Sequence, residues 1–340
     1  MTTPDWKRLV HAQGPATRVP TQLKKLTATT PEAREAAFYQ LREALVAPGE
    51  WFTASGPAAE LLAQQAASAK VGRDVTLRLL GEMAAGDPNW FVGADAAKLR
   101  SAHKLSADTV RAATDAIPSA VSMLGHGEPE ARAAAAFFLG LVPGGSAALA
   151  KVGDLASRDP SVVVRATATV TLGLLARAGE KEASARLASV PRDEPLMTAA
   201  HWAARIASGA QTTPDEDAAG AAGWFSKEGA ATPWCSVGSS ARWITSLVTE
   251  PQRRGVVAPA IVKSFVAAGG EPQSRRRAIG ELALDLAGFK KKFAELDVVG
   301  ADQLDDGQRA TAAALMAMPD VVLALRWGLP GSARCIGKWL

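Results

Sequence analysis

The side chains best suited to binding another molecule by charge lie in one stretch, between positions 253 and 292. The basic residues there are Arg253, Arg254, Lys263, Arg275, Arg276, Arg277, Lys290, Lys291 and Lys292. Lysines just after a helix complement the negative end of its dipole, but three arginines at a helix start do not. Because Lys and Arg neutralise phosphates without reading sequence, this stretch is a candidate anion or nucleic-acid patch. The net charge of +4 is nevertheless modest for a dedicated nucleic-acid-binding protein.

Residue patterns that carry catalysis or bind cofactors are missing from the sequence. It contains no GxxxxGK, GxGxxG, HExxH or GxSxG pattern. None of the histidines has a Cys or carboxylate at metal-ligand spacing; they are His11, His103, His126 and His201. We therefore predict a protein that is not an enzyme and that holds no metal or cofactor.

The adjacent carboxylates of Asp215, Glu216 and Asp217 are predicted to stabilise the start of a helix, because acidic groups favour the positive end of the dipole. Cys235 and Cys335 lie a hundred positions apart, outside any CxxC pattern. We predict that both are free thiols.

An Arg followed seven residues later by an apolar residue, often with a Gly next, recurs five times. The repeat arginines are Arg34, Arg73, Arg132, Arg165 and Arg277, and the apolar partners are Leu41, Leu80, Leu139, Leu172 and Leu284. Self-similarity of this kind is typical of stacked helical pairs, with each Leu buried between neighbouring pairs. The sequence therefore predicts an all-α fold, a right-handed α-solenoid of helical hairpins with essentially no β-sheet.

Prolines precede three of the repeat arginines. Pro31, Pro129 and Pro160 are predicted to begin the second helices of their pairs, since Pro is favoured at the first helical position. A proline turn, an Arg and small residues ending in Leu-Gly resemble the second helix of HEAT repeats, as in phycobilin-lyase-like HEAT proteins of bacteria. The resemblance is good over residues 125–180 and fair over 20–85.

The segments WKRLVHAQGPATRVPTQLKKLT and ALRWGLP are also similar to a bacterial group of HEAT-repeat proteins. The HEAT resemblance implies a concave wall, formed by the second helices, that holds a partner.

The spacing of the repeats predicts the organisation of the chain. An irregular lead-in over 1–19 precedes HEAT-like repeats over 20–210, which an insertion at about 86–107 interrupts. The hairpins are predicted at 20–46, 56–85, 107–142 with a kink at Pro118, 145–178, and 179–208 with its second helix starting at Pro195. A linker at 212–223, helices from about 215, and divergent repeats with a C-terminal cap over 211–340 complete the prediction.

At about 100° of turn per residue, the side chain five residues after each repeat arginine should point away from the packed side of the second helix. The same holds at the equivalent position of a pair that lacks this arginine. The occupants of this +5 row are Tyr39, Arg78, Phe137, Val170 and Trp202. Aromatic residues and Arg dominate interface hot spots, so we predict an exposed row that binds a partner. Two alternatives stay open: a register shifted by one residue, which makes the row core, or cover by the chain's own insertion.

Tryptophan is concentrated between positions 202 and 243, with four of the nine tryptophans of the chain. A large aromatic residue in a loop either anchors its own protein or contacts a partner. We expect these tryptophans to anchor their own protein.

Together these observations predict a non-catalytic solenoid that binds a protein partner, as an interaction scaffold or an immunity-type inhibitor of another enzyme. The alternative is a nucleic-acid-binding, DNA glycosylase-like HEAT protein that uses the basic stretch at 253–292. No apolar stretch nears the roughly 18–20 residues of a membrane span, and MTTPDWKRLVH lacks a signal-peptide core. We therefore expect a cytoplasmic protein without a membrane or small-molecule partner.

Overall fold

A computed structural model describes residues 4–47, 49–86, 100–224 and 232–234, together with the single positions 257, 306, 309, 310 and 313. The chain divides into two compact units. The first comprises Met1–Pro191, Ala207–Gly209 and Thr232–Trp234. The second comprises Arg192–Ile206, Ala210–Ala231 and Cys235–Leu340.

The first unit is built from helices, with very little strand in its described part. Two short strands, β1 (Val10–His11) and β2 (Gly14–Pro15), pair antiparallel before the first helix. The helices that follow are α1 (Val19–Lys25), α2 (Pro31–Leu45), α3 (Ser55–Ser68), α4 (Arg73–Ala85), α5 (Ser106–Asp115), α6 (Ile117–Met123), α7 (Pro129–Leu141), α8 (Leu149–Arg158), α9 (Val162–Arg177) and α10 (Lys181–Ser189). Short 3-10 turns lie at Ala16–Arg18 and Gly145–Ala148. The expected mostly helical fold is confirmed.

Helices α2, α4, α7 and α9 contact one another in that order, and each packs against the helix that precedes it in its pair. The sides on which these helices contact one another form the hydrophobic core. Leu41, Leu80, Leu139 and Leu172 are buried at equivalent places, as the repeat pattern predicts. The first helix of the third pair breaks at Ala116 into α5 and α6, and Pro118 lies in the first turn of α6, so the predicted kink is confirmed.

The repeat arginines explain why an Arg recurs at the start of each second helix. Each donates to main-chain carbonyls in the last turn of the preceding helix or in the loop that follows it. Arg34 donates to the carbonyls of Ala28 and Thr29, Arg73 to Ala66, Arg132 to His126 and Gly127, and Arg165 to Asp159. A cation at this place satisfies orphan carbonyls and meets the negative end of the helix dipole.

The described helices of the second unit are α11 (Pro195–Ala207, its last residue in the first unit) and α12 (Pro214–Trp224). Pro195 begins α11 as predicted. The linker expected at 212–223 is wrong, because α12 occupies most of it. Thr213 and Glu216 explain this helix start: the Thr213 N–H donates to Glu216 Oε2 at 2.9 Å, and the Glu216 N–H donates to Thr213 Oγ1 at 3.3 Å. This reciprocal pair is a capping box.

One other predicted boundary is wrong. Helix α9 begins at Val162 and not at Pro160. The carboxylate of Asp159 accepts the N–H of Ser161 at 2.9 Å, which holds residues 159–161 in a turn before the helix starts. No helix in the described part of the chain is long and apolar enough to cross a bilayer.

Candidate protein-binding surface on α2 and α4

The +5 row does not form one exposed surface. Tyr39 is 43% exposed and Arg78 is half-buried, but Phe137, Val170 and Trp202 are all buried. The prediction of an exposed row is therefore wrong for three of its five members. A single helix packed on one side would expose these positions, so another part of the protein must cover them.

Helices α7 and α9 are buried on nearly every side, which explains two of the three. Every residue of α9 from Ala166 to Leu175 is buried, and Ala133 to Leu139 of α7 are buried as well. Helices that are apolar all round lie inside a protein rather than on its surface. Phe137 and Val170 are therefore core residues, as one of the alternatives for this row allows.

A distant segment of the first unit lies against α9. The buried Trp234 donates its Nε1–H to Thr167 Oγ1 at 3.1 Å, although 67 positions separate the two residues. Thr167 in turn donates to the carbonyl of Val163 at 2.7 Å. The chain itself therefore covers part of α9, and the expected self-packing of Trp234 is confirmed.

Trp202 is buried by its own unit. Its Nε1–H donates to Asp217 Oδ1 at 2.8 Å, and the hydroxyl of Thr212 donates to the same oxygen at 2.7 Å. A Cβ on Gly220 would approach Trp202 Cγ to 2.3 Å, so only a glycine allows α12 this close to the ring. Asp217 thus holds Trp202 in place, as a structural acceptor between α11 and α12.

Glu216 belongs to the same start of α12 and carries a perturbed carboxyl. The hydrogen bond from the Thr213 backbone, followed by the charges of Arg205 and Arg192, lowers the pKa of Glu216 from 4.5, against an opposing effect of burial. Arg205 also forms an ion pair with it. The predicted helix-stabilising role of this acidic group is consistent with these contacts.

The accessible members of the +5 row are Tyr39 on α2 and Arg78 on α4. The ring of Tyr39 meets the buried ring of Phe38 edge to face, with centroids 5.5 Å apart. The guanidinium of Arg78 stacks over Phe38 at 4.4 Å from the ring centroid. Arg78 Nε also donates to Glu82 Oε1 at 3.4 Å, while Arg42 Nε donates to Glu82 Oε2. We call these five residues the α2–α4 cluster.

Burial sets the electrostatics of the α2–α4 cluster. The Glu82 side chain is 3% exposed, whereas those of Arg42 and Arg78 are 22% and 18% exposed. Two cations share one buried anion, so the cluster carries a net charge of +1 at its accessible side. Because a buried carboxylate is costly unless it is paired, Glu82 fixes both arginines in place.

Tyr39 and Arg78 are among the residues predicted from the sequence, whereas Phe38, Arg42 and Glu82 are not. The spacing of Arg78 and Glu82, four residues apart on one helix, was a usable signal for their ion pair. No signal in the sequence connects Arg42 to Glu82, which are 40 positions apart.

A separate cleft of about 380 Å³ lies beside β1, β2 and α2. His11, Gln13, Gln22 and Gln40 contribute polar groups to its lining, over a floor that includes the buried Leu41. Burial lowers the pKa of His11, whose Nδ1 accepts the N–H of Gln13 at 3.1 Å. His11 is thus neutral near pH 7, and the cleft presents mixed donors and acceptors.

Among the described residues, no group of three or more His, Cys, Asp or Glu side chains is arranged to hold a metal ion. The basic residues at 253–292, both cysteines and Leu284 lie outside the described residues. Family models, curated proteins and solved structures were compared with the chain, and none matches.

Proposed function

We propose that this protein is a non-catalytic, protein-binding α-solenoid of HEAT-like hairpins, and that the α2–α4 cluster is a contact point for its protein partner. The proposal keeps the function that the repeats predict but moves the contact surface. Phe137, Val170 and Trp202 are left out because they are core residues.

The observation that carries the proposal is the exposed ring of Tyr39. It is 43% exposed, although it is a large aromatic residue whose neighbour Phe38 is buried. Its edge-to-face contact with Phe38 limits the orientations of the ring, so little conformational entropy is lost when a partner packs on it. Tyr39 and Arg78 both contact the ring of Phe38, and Tyr and Arg are residue types enriched among interface hot spots.

The architecture of the first unit supports the same proposal. Second helices in serial contact, each with an arginine near its start that donates to carbonyls at the end of the preceding helix or in the loop after it, are what stacked hairpins require. Stacked hairpins offer extended surfaces, and they serve as scaffolds and as inhibitors of other proteins. We also propose that this protein lies in the cytoplasm.

Photo-crosslinking from position 39 tests the proposal. Tyr39 is replaced with p-benzoylphenylalanine in the native cells, and Leu105, which is 42% exposed, is replaced in the same way as a matched control. We expect a discrete protein adduct from position 39 that position 105 does not give. The protein identified in the adduct is then purified, and its affinity for the full chain is measured by calorimetry.

Reconstituted binding should weaken at least about tenfold in Tyr39→Ala, since an aromatic hot spot contributes about 2 kcal/mol or more. Leu105→Ala should bind like the parent protein. The proposal is wrong if both positions give the same adducts, if position 39 crosslinks only to nucleic acid, or if Tyr39→Ala binds the purified partner with unchanged affinity.

A further inference from the structure

We infer that the α2–α4 cluster binds a carboxylate from an acidic segment of the protein partner, held between the guanidinium groups of Arg42 and Arg78 beside the ring of Tyr39. This inference rests on the proposed function and adds the chemistry of the partner to it.

The guanidinium groups of Arg42 and Arg78 have the same orientation toward Glu82. Both turn the Nε edge toward Glu82, Arg42 to Oε2 and Arg78 to Oε1. Within the part of the chain that the structure describes, their Nη groups have no acceptor. The side chains of Arg42 and Arg78 are 22% and 18% exposed, so the cluster is partly open to a ligand.

The side chains of Arg42 and Arg78 are held in place before any ligand binds. Stacking on Phe38 and the ion pair with Glu82 hold Arg78, and the same carboxylate holds Arg42. An anion that binds here does not have to order two long side chains, which is a large part of the usual cost of an exposed ion pair. Carboxylate oxygens match the planar donor geometry of guanidinium groups.

The charge around the cluster favours a protein carboxylate over a nucleic acid. Helix α2 carries Glu32, Glu35 and Glu43 against two arginines, and α4 carries two residues of each sign. The two helices together therefore have a net charge of −1, and two of their four arginines belong to the cluster. A phosphate backbone needs several cations in a row and would be repelled by these glutamates.

The probe for this site is a capped acidic peptide, acetyl-Glu-Phe-Glu-amide, titrated into the full-length protein at constant ionic strength. Its neutral analogue, acetyl-Gln-Phe-Gln-amide, has the same size and the same aromatic residue. Binding is followed through the Nε–Hε NMR signals of the arginines. We expect saturable shifts of the Arg42 and Arg78 signals, with at least about tenfold weaker binding of the neutral peptide, because hydrogen bonds to charged groups are lost.

Arg78→Gln should weaken the acidic peptide about tenfold, by the same loss of charged hydrogen bonds. Glu82 keeps Arg42 as its partner in this variant, and the melting temperature verifies that it is folded. Arg78→Lys keeps the charge but not the planar guanidinium group, so its affinity for the acidic peptide should lie between those of the parent protein and Arg78→Gln. The matched control is Arg186→Gln, because Arg186 also pairs with a glutamate four positions away on its own helix, Glu182; it should leave the affinity unchanged.

The inference is overturned if the acidic peptide leaves the Arg42 and Arg78 signals unshifted, if both peptides bind equally, or if folded Arg78→Gln binds like the parent protein. Stronger shifts of the same signals by a ten-residue oligothymidylate, at equal ionic strength, would also overturn it in favour of a nucleic acid. A negative peptide titration together with a partner adduct from position 39 would refute the carboxylate chemistry alone and leave the proposed function standing. A positive titration without a position 39 adduct would refute the proposed function, and with it the assignment of the bound carboxylate to a protein partner.

Discussion

Arg132 of α7 donates from Nε and Nη2 to the two carboxylate oxygens of Asp159, at 2.8 and 2.9 Å, and so ties one helical pair to the next. Asp159 is buried, and its carboxylate also accepts the N–H of Ser161 before α9. The ion pair with Asp159 raises the pKa of Arg132. One carboxylate therefore fixes both the start of α9 and the position of α7 against it.

Removing this carboxylate should destabilise the first unit strongly. Asp159→Ala leaves the mostly buried guanidinium of Arg132 without its anion, and breaking a buried pair in this way costs about 3–5 kcal/mol. Urea unfolding, monitored by far-ultraviolet circular dichroism, measures the change. Asp154→Ala on the exposed side of α8 is the matched control, with an expected change within about 0.5 kcal/mol. Equal unfolding midpoints for the two variants would contradict this role.

The leucines of the repeat are predicted to stabilise the contacts between pairs. Leu139 is fully buried, so Leu139→Ala should lower the free energy of unfolding by about 2–5 kcal/mol, through lost transfer energy and the cavity left behind. Leu105→Ala makes the same chemical change at an exposed position and should have little effect. A Leu139→Ala variant as stable as Leu105→Ala would show that these seams do not hold the helices together.

The repeat pattern predicted which residues lie in the core because a helix fixes its own faces. Leu41, Leu80, Leu139 and Leu172 are all buried where a period of 3.6 residues places them. Pro31, Pro129 and Pro195 begin α2, α7 and α11 as predicted, since proline is favoured at the first helical position. The repeat pattern could not predict the role of Asp159, which depends on its contact with Arg132, 27 positions away.

The prediction of the binding surface was wrong for a related physical reason. A helical face that its own pair leaves uncovered can still be covered by a remote segment, and nothing in local spacing reports that segment. Trp234 lies against α9 in this way, and Asp217 fixes Trp202 between α11 and α12. Tyr39 on α2 is 43% exposed, so the surface inferred from the sequence is limited to α2 and α4.

Phe137 and Tyr39 should therefore respond differently to truncation, although both belong to the +5 row. Phe137→Ala removes a buried ring and should cost about 3–5 kcal/mol of stability. Tyr39→Ala removes an exposed ring and should change the stability by less than about 1 kcal/mol. Thermal unfolding of the two variants measures both effects. A large loss for Tyr39→Ala would mean that its ring stabilises the fold, and would exclude it as a residue available for binding.

The stability of α12 should depend on pH through Glu216. Because its folded-state pKa is lowered, the ionised carboxyl stabilises the folded protein above pH 4.5, and this contribution is lost as the pH falls through the lower folded-state pKa. The melting temperature of Glu216→Gln should therefore lie below that of the parent protein at pH 7 and approach it in acid. Asp215→Asn, in the same helical turn, tests whether any carboxylate there acts similarly. A Glu216→Gln difference that stays constant between pH 7 and pH 3 would be inconsistent with this linkage.

Trp234 is predicted to protect α9 from solvent. Trp234→Ala should cost about 3–5 kcal/mol, because it removes a buried aromatic ring and leaves Thr167 Oγ1 without the indole donor. Trp234→Phe separates the two contributions, since it keeps most of the apolar contact and loses only the N–H, at a cost of about 1 kcal/mol. Amide hydrogen exchange should speed up in α9 of Trp234→Ala, while α3 of the same molecule, which packs on α4 and α5, serves as an internal control. Unchanged exchange in α9 would show that segment 232–234 contributes little to its cover.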